Sequence, residues 1–205
     1  MAKPCLAGFW LPGYFMRNHY NQGSAIPISS GAQLRIVEVD NMGTKAIEVA
    51  GPGAKETVEL LNKALADEWL AYYQYWAGAL IVKGPLRPDV QKELKEHAGE
   101  EFKHAGMLAE RIIQLGGTPI LDPSEHAKKT NCGYDAPKDP NVEIILAQNV
   151  KGEQCAIGAY FSILQKLKGS SDMITLNMVR KIMEDEEKHE QDLQDLQDDI
   201  KLAKE

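Results

Sequence analysis

The sequence predicts an all-α protein: a four-helix bundle with a long crossover between helices 2 and 3, preceded by an N-terminal arm. Three observations carry the bundle. Four long stretches place apolar residues at three-to-four spacing. Helix-stop signals separate them. The connection between the second and third is far longer than the other two. A chain of 205 residues, 43% apolar and 26% charged, is ordinary for one domain with a sizeable core.

The arm comes first. Residues 1–52 are rich in Gly, Pro, Ser and Asn, with two stretches, AQLRIVEVD and KAIEVA, that read as extended and able to pair as a short hairpin. The bundle is expected over 53–205. Its helices are predicted at about 55–83, 88–115, 140–168 and 172–203. KGPLRP, GGTP and KGSSD stop the first, second and third. The middle connection, about 117–139, is long for a bundle loop and is expected to hold a short helix around SEHAKK.

The helices carry a repeated spacing. EEFKH, residues 100–104, sets Glu101 three positions before His104, so carboxylate and imidazole share a helix face. Glu186 and His189 repeat the pattern in EEKH. A glutamate-rich surface produces one such pair by accident; two copies need their partners examined. In a helical hairpin, positions equally far from the turn lie level. Glu68 mirrors Glu101 through the first turn signal, their midpoint falling between Gly84 and Pro85. Glu153 mirrors Glu186 through the last, their midpoint falling between Gly169 and Ser170. Each of these mirrored glutamates has a tyrosine two helical turns further on, Tyr75 and Tyr160, on the same face. Four carboxylates and two imidazoles without a thiolate suit iron or manganese, and bridging glutamates hold two such cations close while neutralising their charge.

These residues resemble a known family. Glu68, the Glu101–His104 pair, Glu153 and the Glu186–His189 pair match the di-iron ligand pattern of the ferritin-like superfamily in its bacterioferritin form, over about residues 55–195. Two departures from bacterioferritin stand out. Phe102 follows Glu101 where a haem-binding methionine is found in that family, and the sequence after His189 runs only to Glu205, too short for the fifth helix of that family. No haem is therefore expected. The long middle connection is similar to that of Dps proteins, and Cys132 with Cys155 resembles the cysteine pair of the Dps-like thioferritins. The resemblance implies two iron ions per subunit, a dodecameric homo-oligomeric cage, and a ferroxidase that oxidises Fe(II) with hydrogen peroxide, or less efficiently with dioxygen, and stores the iron. Tyr75 is then either an electron source beside the metals or a hydrogen-bond partner of a ligand, unless it is simply a buried tyrosine with a satisfied hydroxyl.

The remaining features weigh less. Two positions along a helix is about 200°, so Cys155 should point away from the metal face that Glu153 occupies. Cys132 and Cys155 are either buried free thiols or a reversible dithiol able to supply electrons. Cys5 makes the cysteine count odd and none is in a CxxC, against a disulfide framework or a zinc site. Asp192, Asp195 and Asp199 share one face of the last helix, with Leu193, Leu196 and Ile200 on another. That is an ordinary amphipathic pattern, or the lining of a cation pore. Trp69, Tyr72, Tyr73 and Trp76 are packing residues at helical spacing. His19, His97 and His126 lack a carboxylate three positions before them and are read as incidental. A dimanganese catalase of the same bundle class is the competing enzyme, though its ligand set usually lacks the second ExxH. A DNA-compacting role is disfavoured by a net charge of −7 and by the few scattered basic residues of the arm, Lys3, Arg17, Arg35 and Lys45. Neither a membrane span nor a signal peptide is readable, and the expected location is the cytoplasm.

Overall fold

The computed structural model describes residues 44–205. The order is α1 (Thr44–Ala50), a 3-10 turn (Gly51–Gly53), α2 (Ala54–Ile81), α3 (Arg87–Gln114), α4 (Pro123–Lys129), α5 (Val142–Leu167) and α6 (Met173–Leu202). The four long helices match the four expected from apolar spacing, and α4 is the short helix of the crossover. AQLRIVEVD lies outside the described residues. KAIEVA does not form a strand: it is part of the helix α1. Ile47 and Ala50, three apart, turn the same way onto the bundle core, a helical periodicity that the strand-like composition concealed. Among the described residues no helix is long and apolar enough to cross a membrane.

Two apolar clusters fill the bundle. One contains Leu61, Leu65, Ala105, Leu108, Tyr160, Ile163, Val179 and Ile182. The other contains Tyr75, Leu94, Ala98, Ile145, Leu146, Leu193 and Ile200. On every long helix the two clusters are separated by the same interruption. Leu65 and Tyr75 flank Glu68, Ala98 and Ala105 flank Glu101, Leu146 and Tyr160 flank Glu153, and Ile182 and Leu193 flank Glu186. The bundle is therefore a polar layer sealed on both sides by hydrocarbon.

Connections fix the register of the layer. Between α2 and α3, Lys83 N–H donates to the Pro140 carbonyl (2.7 Å) and Val142 N–H to the Lys83 carbonyl (2.9 Å), which ties the first turn to the start of α5. Gly84 has φ +132, and a Cβ there would lie 2.8 Å from Val142 Cγ1, so the turn favours glycine at this close approach. The crossover is stapled to α2 by polar side chains. Asp67 accepts from the Thr130 hydroxyl and from the backbone N–H groups of Asn131 (2.8 Å) and Cys132 (3.0 Å). Asn62 accepts from Ile120 N–H (2.9 Å) and donates to the Thr118 carbonyl (3.1 Å).

At the other end, Asp172 caps α6, accepting from Thr175 N–H (3.0 Å), and receives the guanidinium of Arg111 from the last turn of α3 (2.6 Å). Arg111 also donates to the Thr175 hydroxyl (2.7 Å). Arg111 and Asp172 are both buried, so removing one partner leaves the other charge unpaired in a dry site. Asp172→Ala is expected to destabilise the subunit by about 3–5 kcal/mol, read from chemical denaturation. A loss below about 1 kcal/mol, the range of an exposed pair, would contradict this.

Candidate metal centre

Each long helix sends one glutamate into the polar layer, and α3 and α6 each add a histidine. Glu68, Glu101, His104, Glu153, Glu186 and His189 are each at most 3% exposed. Their ligand atoms form two overlapping groups: Glu68, Glu101, His104 and Glu186, and Glu101, Glu153, Glu186 and His189, each with its atoms within 4.8 Å of one another. Glu101 and Glu186 belong to both. His104 Nδ1 lies 3.5 Å from Glu68, 3.3 Å from Glu101 and 3.1 Å from Glu186. His189 Nδ1 lies 3.2 Å from Glu101, 3.2 Å from Glu186 and 3.9 Å from Glu153. Thus all six residues singled out by spacing converge, with two shared carboxylates at the centre and a Glu and a His on each flank.

The layer suits cations and little else. Glu68 Oε2, Glu101 Oε1, both oxygens of Glu186 and His189 Nδ1 are buried without a hydrogen-bond partner, a cost of about 1–3 kcal/mol per group. All of them belong to the two ligand groups. Cations bound there would give these atoms the partners they lack, and iron or manganese fits the mixed carboxylate and imidazole donors.

The outward nitrogens are held as well. His104 Nε2 meets Asp185 at 3.2 Å and His189 Nε2 meets Glu100 at 2.7 Å. Glu100 precedes Glu101 and Asp185 precedes Glu186, so each helix orients the other's imidazole. Such carboxylate partners keep Nδ1 free for a cation. Spacing within one helix does not reveal this pairing, although an acid stands just before each ExxH. The tyrosines also cross over: Tyr75 donates to Glu153 and Tyr160 to Glu68. Tyr75 is therefore a hydrogen-bond partner of a glutamate of the layer.

A cavity of about 550 Å³ reaches the layer from the side of the crossover, lined by Glu68, Tyr75, Glu101 and Glu153 and, in its wall, by Cys132 and Cys155. The two cysteines form a disulfide, rather than a pair of buried free thiols. Cys155 is half-buried and is absent from both ligand groups, in keeping with 200° of helix rotation from Glu153, roughly the opposite face.

The model of the ferritin-like domain matches residues 58–203. The chain belongs to the ferritin-like family. It is similar to the DNA protection during starvation protein of Pyrococcus furiosus, with 34% identity over 149 residues that span 71% of this chain and 79% of that one. A solved structure, described as a dodecameric thioferritin and bacterioferritin-related protein from Bacteroides fragilis, is 44% identical with a TM-score of 0.76, covering 78% of this chain and 96% of that chain. The bacterioferritin of Desulfovibrio desulfuricans is 29% identical over 134 residues, 65% of this chain and 70% of that one. Within the family, this chain is Dps-like.

Electrostatics of the ferritin-like layer follow from burial. Burial, with Glu186 and Glu101 close by, raises Glu68 well above the carboxylate range, and burial with Glu101 and Glu186 does the same to Glu153. Burial opposes the charge of Glu101 too, but the hydrogen bond with His104 and the close imidazole of His189 outweigh it and hold this carboxyl low. Burial works against both imidazolium ions, yet the carboxylates of Glu101 and Glu186, 3.1–3.3 Å away, raise His104 far above its usual value and His189 to about 11. At neutral pH the ion-free layer therefore holds its histidines protonated. A cation needs neutral imidazole, so binding must expel protons and weaken as pH falls. Titration calorimetry with Co(II) in buffers of different ionisation enthalpy should show at least about one proton released per subunit. Heats independent of the buffer would contradict this charge state.

Proposed function

We propose that the protein is a ferroxidase mini-ferritin that oxidises Fe(II) at a dinuclear site and stores the product, limiting oxidative damage. The observation that carries the reading is that Glu101 and Glu186 are shared between two buried ligand groups, so that two cations held there would lie side by side. Two Fe(II) ions supply two electrons, the number that reduces one hydrogen peroxide to two waters with two protons, leaving two Fe(III). Because both electrons leave together, no hydroxyl radical is released. Dioxygen is the slower oxidant.

Glu68 and His104 would hold one substrate iron and Glu153 and His189 the other. Tyr75 and Tyr160 position the terminal glutamates by donating to them. Cys132 and Cys155, in the cavity wall, serve as a reversible pair: reduced, their thiols hold two electrons and two protons, enough to turn one peroxide into two waters as the S–S bond forms. A disulfide in a cytoplasmic protein is ordinarily of this redox-active kind. The likeness to a dodecameric thioferritin supports a homo-oligomeric cage of twelve subunits with the mineral inside.

Stopped-flow Fe(II) oxidation by peroxide and by dioxygen tests the reading. Fast oxidation that leaves iron in a cage-sized particle is expected. Peroxide loss with gas evolution, no retained iron and copurifying manganese would put a dimanganese catalase in its place. Glu153→Ala and His189→Ala are each expected to abolish the rapid phase with helical content intact; wild-type rates in both would remove these residues from the site. Cys132→Ser with Cys155→Ser should slow peroxide turnover while bound iron stays constant, and a fall in bound iron would make Cys155 a ligand.

A further inference from the structure

His97 is not part of the dinuclear layer, yet it is built as a ligand would be. It lies one helical turn before Glu101 on α3, is 1% exposed, and stacks on His189 with ring centroids 4.1 Å apart and on Tyr75 edge-on at 5.2 Å. Neither ring nitrogen has a hydrogen-bond partner. Nε2 is close to two carboxylates, 3.2 Å from Glu93 Oε1 and 3.7 Å from Asp192 Oδ2, yet it forms a hydrogen bond with neither. A search for an acid three positions before each histidine misses this arrangement. The acids of His97 are Glu93, four positions before it, and Asp192, across the bundle on α6.

Close approach without hydrogen bonding is also seen in the dinuclear layer, where donor atoms converge on a point instead of on each other. The ligand atoms of Glu93, His97 and Asp192 lie within 4.8 Å of one another. Glu93 and Asp192 are two like charges facing one gap, their side chains 25% and 31% exposed, so an ion reaches them from solvent. Asp192 is also paired with Lys188 at 3.5 Å, whose side chain is 65% exposed and free to swing away. Asp195 and Asp199, on the same helix, belong to no such group among the described residues.

We propose that Glu93, His97 and Asp192 form a third, mononuclear divalent-cation site beside the dinuclear centre. One imidazole and two carboxylates suit Fe(II), Mn(II), Co(II) or Zn(II), and three protein ligands leave positions for water. With two carboxylates reaching solvent and a buried imidazole stacked on His189, it is a holding site for Fe(II) between solvent and the centre. The binding site stands on these three residues alone; the holding role rests on the ferroxidase reading.

The test is anaerobic loading of the intact assembly with Co(II), followed by anomalous diffraction at the cobalt edge and titration calorimetry. Three cobalt peaks per subunit are expected, one between Glu93, His97 and Asp192. Asp192→Asn and Glu93→Gln, both at half-exposed positions that tolerate the change, should each lose that peak and keep the other two, and His97→Phe should do so while preserving the ring stack. The calorimetric stoichiometry should fall from three to two. Two dinuclear peaks with none at this place, or a third peak that survives Asp192→Asn and His97→Phe, would overturn the proposal. A peak here without the dinuclear pair would uphold it and overturn the ferroxidase reading instead.

Discussion

Four carboxylates in one buried layer are the constraint around which this molecule is organised. Moving a single charge into a protein interior costs several kcal/mol after relaxation, and here Glu68, Glu101, Glu153 and Glu186 are gathered between two hydrocarbon clusters. Two imidazoles offset part of that charge. The remainder appears as raised carboxyl affinities for protons at Glu68 and Glu153 and as buried oxygens with no partner. Such an arrangement is a poor way to stabilise a bundle and a good way to bind cations. Stability has to come from elsewhere: the apolar clusters on either side, the Arg111–Asp172–Thr175 network between α3 and α6, and the polar staples from Asn62 and Asp67 to the crossover.

Those staples have a second consequence. Asp67 is the neighbour of Glu68, and by gripping the backbone of residues 131 and 132 it brings Cys132 against α5, where Cys155 completes the disulfide. The crossover thereby becomes one wall of the cavity that leads to the layer. The stack of His97 on His189 couples the centre to a second, more solvated pair of carboxylates. The centre thus has a cysteine pair on one approach and a candidate cation path on another, both set by helix geometry.

Much of this was legible in the sequence because it depends on helical period and symmetry about a turn. Glu68 and Glu153 follow from reflecting Glu101 and Glu186 through Gly84–Pro85 and Gly169–Ser170, which works only because antiparallel helices keep level residues equidistant from their turn. The short helix in the crossover was visible from SEHAKK between loop signals. What escaped was tertiary. KAIEVA has strand-like composition, and its packing through Ile47 and Ala50 is what favours the helix. Glu100 and Asp185 look like ordinary surface acids until the opposite helix supplies an imidazole. His97 is invisible to an i, i+3 search because one of its carboxylates stands at i−4 and the other comes from another helix. The direction of Cys155 followed from the helix period, whereas its bond to Cys132 depends on how the crossover folds back.

If Glu101 and Glu186 hold two irons as one unit, the pair should be visible when two equivalents of isotopically enriched Fe(II) per subunit are added to the assembly, oxidised with one equivalent of peroxide per pair, and followed by Mössbauer spectroscopy before mineral forms. A spin-coupled diferric pair accounting for most of the iron is the result predicted. Isolated high-spin Fe(III), with no coupled pair at any loading, would contradict it.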